Sequence, residues 1–218
     1  MKFKVINIRS FYIIFIFLFV LGIFLGSYEE IYKQGSKKVT TYNSVMEKPA
    51  ETQTYVEIIW DASGSMWGKE NGLRKIFRSK DILSSLNSKF PEKILLGLRV
   101  FGARRIGDEN DSFLAVAFDK NNQEKIENYI ENIKPLGKSP IGLSLQKACN
   151  DLKKYNGNKH ILLISDCISN KGISSQELIQ NLNNYNIKFH LIHVGDIKNK
   201  KNVNKLINIA EKTGGDYF

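Results

Sequence analysis

Beyond Tyr55, short apolar runs alternate with stretches whose apolar residues recur at helical spacing. Residues 55–60, 94–101, 113–118, 161–165 and 188–194 read as strands, each a short Ile/Leu/Val/Phe-rich run. Residues 73–90 place Leu73, Ile76, Phe77, Ile82, Leu83, Leu86 and Phe90 near helical spacing, and residues 123–133 put Ile126, Tyr129, Ile130 and Ile133 on one helical face. Further helices are predicted from Ile141, Leu145, Ala148, Cys149 and Leu152, over residues 178–185, and over residues 203–212, before Asp216-Tyr217-Phe218 closes as a short strand. Strands that are apolar on both faces need a covering layer on each side, which a mainly parallel sheet between helices provides. The pattern therefore predicts a doubly wound α/β domain of Rossmann type over residues 54–218. Such sheets bind ligands beyond the carboxyl ends of their strands, at a topological switch point. Asp61 and Asp166 each follow an apolar strand directly and so project to that edge.

The N-terminal pattern is different. Residues 1–10 carry Lys2, Lys4 and Arg9 with no acid, and residues 11–28 are uncharged and apolar on every face. One spanning helix needs about 17–25 such residues, and a basic flank predicts which end stays in the cytoplasm. This predicts a cytoplasmic N-terminus (1–10), a transmembrane signal anchor (11–28), a polar tether (29–53), and an extracytoplasmic domain (54–218). A cleaved signal peptide, giving a secreted or periplasmic domain, is the alternative. Phe24-Leu25-Gly26-Ser27 makes a poor cleavage site, and no cysteine follows the run to make a bacterial lipoprotein.

Charge and cysteine content narrow the function. The net charge of +10 invites a nucleic-acid reading. Lysines are interspersed with Asn and Ile along the whole chain, without a basic stripe or interleaved aromatics, so no nucleic-acid partner is expected. Cys149 lies about 13 Å along its predicted helix from the edge where Cys167 sits, too far for a disulfide. Two free thiols are predicted.

The chemistry concentrates in three segments. Asp61-Ala62-Ser63-Gly64-Ser65 follows the first strand, Ser139-Pro140 opens the third helix, and Leu162-Leu163-Ile164-Ser165-Asp166 ends a later strand. In this order they resemble the three metal loops of bacterial von Willebrand factor type A (vWA) domains, the first being the D-x-S-x-S signature of a metal-ion-dependent adhesion site (MIDAS). The resemblance spans about residues 54–218. It implies that Ser63, Ser65 and Ser139 offer hydroxyl oxygens, and that Asp61 and Asp166 supply charge directly or through waters. The bound ion would be Mg²⁺, with Mn²⁺ or Ca²⁺ as alternatives, since all five are hard oxygen donors. It further implies a protein partner that presents Asp or Glu to the metal.

Three departures from the family pattern stand out: Ser139 where Thr is usual, Cys167 where glycine is common, and no residues after Phe218 for the sliding helix of switching members. The last predicts a static binding module, or a domain that needs a partner to cover its exposed sheet edge. A degenerate vWA scaffold that binds no metal is the bland alternative. A phosphatase using Asp61 as nucleophile is the enzymatic one, though Ser63 stands where a second Asp is common. We expect no enzyme. His190 and His193 have an odd spacing that sends them to opposite faces of a strand, and His160 is expected at the surface. Arg104 and Arg105 are expected to be solvated, while Trp67 either contacts a ligand or lids the core.

Overall fold

The computed structural model describes residues 52–169, 174–197 and 200–218. The anchor predicted over residues 11–28 falls outside them, as does the tether except for Thr52 and Gln53. Among the described residues no helix is long and apolar enough to cross a membrane.

Strand β1 (Thr54–Asp61) is buried from Val56 to Asp61 and forms the centre of the sheet. It pairs in parallel with β4 (Leu95–Phe101) on one side and β6 (Asn158–Ser165) on the other. β7 (Ile187–His193) extends the sheet in parallel from β6, and β5 (Ser112–Asp119) closes the opposite edge antiparallel to β4. The order is β5-β4-β1-β6-β7. The chain leaves β1 toward β4 but leaves β6 toward β7, so a crevice opens where their carboxyl ends diverge.

Alternation along β1 supplies both layers. Trp60 faces α1 (Lys75–Asn87), where its indole N–H donates to Ser79 Oγ at 3.0 Å. Ile59, on the other face, packs with Phe101, Leu163 and Phe189. That core is completed by Leu145 and Ala148 of α3 (Ile141–Leu152), Leu178 and Leu182 of α4 (Ser175–Asn184), and Val203 and Leu206 of α5 (Lys200–Lys212). Helix α2 (Gln123–Asn132) packs against α1 and β5, burying Ile126 and Ile130. Each large side chain buried in this way contributes roughly 1.5–3 kcal/mol.

Several expectations are corrected. Leu73 is not helical. It lies in β3 (Leu73–Arg74), which pairs with β2 (Lys69–Glu70) around Asn71-Gly72. Both turn residues have positive φ, 49° and 81°, as a two-residue hairpin of this type requires. The helix starts only after this hairpin, ends before Phe90, and leaves Phe77 exposed. His160 is not at the surface: β6 begins at Asn158, and the ring is buried against His190, with Nδ1 3.0 Å from His190 Nε2. The backbone N–H of Asp216 donates to His190 Nδ1, so the C-terminal residues dock alongside β7 as the expected last pairing.

The sheet also holds a buried ionic network that the pattern did not announce. Arg99 of β4 donates from Nε to Glu57 Oε1 at 2.7 Å and also pairs with Asp151 of α3. Burial pushes Glu57 from 4.5 up to about 7, although Arg99 pulls it down. An acid raised in this way holds an extra proton in the fold between those two values, so its contribution to stability declines as pH rises through that window. Arg99→Met strands Glu57 without its cation. The expected cost is about 3 kcal/mol at pH 8. It should be clearly smaller at pH 5, where the folded state keeps Glu57 protonated. Urea unfolding at the two pH values checks this, and a cost independent of pH would contradict it.

Candidate metal centre

The β1–β6 register pairs Trp60 with Ile164, bringing the ends of both strands to one level. Asp61 is fully buried there, and both of its oxygens are engaged. Oδ1 accepts from the Ser63 N–H at 2.8 Å, and Oδ2 accepts from the Ser165 hydroxyl at 2.5 Å. Burial and the adjacent Asp166 carboxylate push Asp61 up to about 7. Asp166 lies just past β6. Its Oδ1 accepts from Ser65 Oγ at 3.1 Å and from the Ile168 N–H at 3.1 Å. Ser63 Oγ is 3.0 Å from Ser65 Oγ. The D-x-S-x-S segment and the Asp166 turn thus converge, with Ser63, Ser65 and Asp166 in a continuous row of oxygen contacts.

Ser139 is brought in by its backbone. The strand-like contact between Ser63 and Gly137 includes a 2.9 Å hydrogen bond from the Gly64 N–H to the Gly137 carbonyl. The Leu136 N–H donates to the carbonyls of both Ala62 and Gly102. Ser139 itself is buried, and its carbonyl accepts from Ser169 Oγ at 3.2 Å. Gly102, with φ +70°, makes this junction possible. A Cβ there would lie 2.5 Å from the Lys138 carbonyl oxygen and 2.7 Å from Ser63 Cα.

The donor set suits a hard divalent cation. Ligands at about 2.0–2.1 Å around an octahedral ion stand about 2.9 Å apart along each edge. The Ser63–Ser65 and Ser65–Asp166 separations are close to that value. Among the described residues no three His, Cys, Asp or Glu side chains gather as metal ligands. The set is instead rich in hydroxyls, with two carboxylates to balance a double charge. Both oxygens of Asp61 are already bonded, so its charge would act mostly from behind the serines.

Two contributors were missed in the sequence. Ser165 sits inside a run that reads as strand, yet its hydroxyl holds Asp61 and also accepts from the Cys167 N–H at 2.9 Å. Lys75 reads as a routine charge at a helix start, but its buried ammonium pairs with Asp166 Oδ2. No sequence signal marks either role. Cys167 adopts φ +60°, the left-handed backbone expected of the glycine it replaces. Burial, with Asp61 and Asp166 nearby, raises its thiol well above the ordinary range, and both cysteines are free.

The rim resolves the remaining expectations. Trp67 is part exposed, and its indole N–H donates to the Pro135 carbonyl at 2.8 Å, pinning the first loop to the second. Arg104 is not simply solvated: Nε donates to Asp111 Oδ1 at 2.9 Å, and its guanidinium lies 3.6 Å from the Phe113 ring centroid. Arg105 keeps an exposed side chain. His193 faces away from His190, as expected from its spacing.

Comparison with known proteins agrees with this architecture. Residues 56–218 match the von Willebrand factor type A domain, and the chain belongs to that family. The uncharacterized protein YwmC of Bacillus subtilis (strain 168) is 27% identical over 131 residues, covering 55% of this chain and 57% of that relative, so the match spans little more than half its length. An aerotolerance-related membrane protein from Bacteroides fragilis NCTC 9343 superposes with TM-score 0.61 at 18% identity, over 76% of this chain and 90% of that one. The conserved hypothetical protein BatB from Bacteroides thetaiotaomicron gives 0.60 at 17% identity, over 75% and 88%. A manganese-loaded Plasmodium vivax TRAP protein gives 0.55 at 15% identity, over 72% and 63%. At these identities the structural likenesses establish the fold.

The Gly102 junction yields a stability test. Gly102→Ala should cost about 2 kcal/mol or more, because left-handed strain adds to a collision with two backbone segments. Gly72→Ala, at φ +81° with no atom within 4 Å of the added Cβ, should cost only about 1 kcal/mol. Equal losses in thermal unfolding would show that the three loops do not close on Gly102.

Proposed function

We propose that this chain is a membrane-anchored, extracytoplasmic vWA module, without enzymatic activity, that holds a divalent cation and through it grips an acidic group on a protein partner. Ser63, Ser65 and Ser139 would contribute oxygens to the ion. Asp61 and Asp166 would supply the balancing charge. Mg²⁺ fits this hard-oxygen set, and Mn²⁺ or Ca²⁺ would also be accepted. The observation that carries the reading is the Ser63–Ser65–Asp166 row, closed from behind by Asp61 and set beside the Ser139 loop.

The surroundings support an acidic protein ligand. Loops that touch one another at this edge expose Lys69, Arg105 and Lys138 alongside Trp67, Ile106 and Leu136. Basic and apolar groups around a cation complement a carboxylate flanked by apolar side chains, for adhesion or complex assembly. The membrane placement rests on the basic residues 1–10 and the apolar residues 11–28. A phosphatase reading has less support, because both Asp61 oxygens are already hydrogen-bonded and position 63 is a serine.

Isothermal titration of MgCl₂ and MnCl₂ into the purified full-length chain in detergent is the test. Saturable binding is expected. It should weaken at least about tenfold in a folded Asp61→Ala/Asp166→Ala variant. Binding of equal strength in the variant would remove the site from these residues.

A further inference from the structure

Lys75 is the one cation built into the metal centre itself among the described residues. It is the first residue of α1, where the helix dipole disfavours positive charge, and its side chain is only 10% exposed. The stem runs through a slot between two glycines. A Cβ at Gly68 would stand 3.1 Å from Lys75 Cε, and a Cβ at Gly195 would stand 2.8 Å from Lys75 Cδ. Gly195 holds φ +100°, a conformation that also favours glycine. The Lys75 N–H donates to the Gly68 carbonyl at 2.9 Å, tying the base of the side chain to the first metal loop. The slot ends at Asp166, whose Oδ2 meets the ammonium while Oδ1 meets Ser65.

Charge balance gives this contact a consequence. Asp61 and Asp166 carry two formal negative charges when ionised, so a divalent ion alone neutralises them. With Lys75 in place the set is already half neutralised, and adding the ion would leave a net positive charge in a buried space. Like charges there repel strongly because little water screens them.

We propose that Lys75 is an internal competitor of the metal. Its ammonium holds Asp166 when the ion is absent, keeps the two carboxylates together without metal, and must withdraw from Asp166 when the ion enters. The inference rests on the metal-centre reading above. It adds that the affinity is set low by a residue of the chain itself, so the domain folds in metal-poor surroundings and responds to rising cation concentration.

The test compares the full-length chain with Lys75→Met, which keeps an unbranched stem for the slot, and with Arg78→Met. Arg78, on the same helix as Lys75, pairs with Glu70 of β2, so its loss removes an equal charge nearby without touching Asp166. Titration with MgCl₂ and MnCl₂ should show Lys75→Met binding at least about tenfold more tightly than the native chain, with Arg78→Met changed by less than about threefold. In EDTA, Lys75→Met should melt below the native chain and recover on adding Mg²⁺. Lys75→Gln gives the same comparison if the Met variant does not fold. Metal binding seen only in the Lys75 variants would also support the competitor role. Equal affinity in the native chain and Lys75 variants would overturn it and leave the metal centre standing. No binding in any variant would overturn both.

Discussion

Two carboxylates meet at the ends of adjacent strands in a space nearly closed to water. Asp61 is fully buried and Asp166 almost so, and the Asp166 carboxylate adds to the cost of ionising Asp61. The rest of the site is arranged around relieving that repulsion. Ser63 and Ser165 donate to Asp61, Ser65 and the Ile168 amide donate to Asp166, and Lys75 supplies a positive charge from the start of α1. The fold places these groups through simple means: parallel register levels the strand ends, and the divergence of the chain after β1 and β6 opens the crevice above them.

This arrangement accounts for a site made mainly of hydroxyls. Serine oxygens carry no formal charge, so those of Ser63 and Ser65 can stand 3.0 Å apart without adding to the repulsion between the acids. A cation bound among them would be neutralised from behind and left open in front. That is the basis on which we propose recognition of a carboxylate on another molecule in place of bond cleavage, which needs a free nucleophile or base.

Much of the fold was legible because its strands are apolar on both faces, as in Ile58-Ile59-Trp60 and Ile161-Leu162-Leu163-Ile164, and only a covered parallel sheet tolerates that. The misses have local causes. Leu73 continued an apolar periodicity, but Asn71-Gly72 forms a hairpin whose turn geometry outweighs it. His160 looked like a surface residue because polar Asn158 and Lys159 precede the apolar run, whereas the sheet extends through them and pairs its ring with His190. At the site, the three short segments that carry Asp61, Ser63, Ser65, Ser139 and Asp166 stand in a familiar order in the sequence, and the fold brings those segments together. Ser165 and Lys75 were not, because a strand serine and a helix-start lysine are common, and only the three-dimensional register aims them at Asp61 and Asp166.

In the proposed site one cation sits among oxygens from three separate loops. Anomalous diffraction from crystals grown with MnCl₂ would locate that ion. A single strong manganese peak is expected, bounded by the Ser63, Ser65 and Ser139 hydroxyls, with Asp61 and Asp166 behind it. Well-ordered crystals with no peak at that position, or with manganese held only elsewhere on the domain, would contradict it.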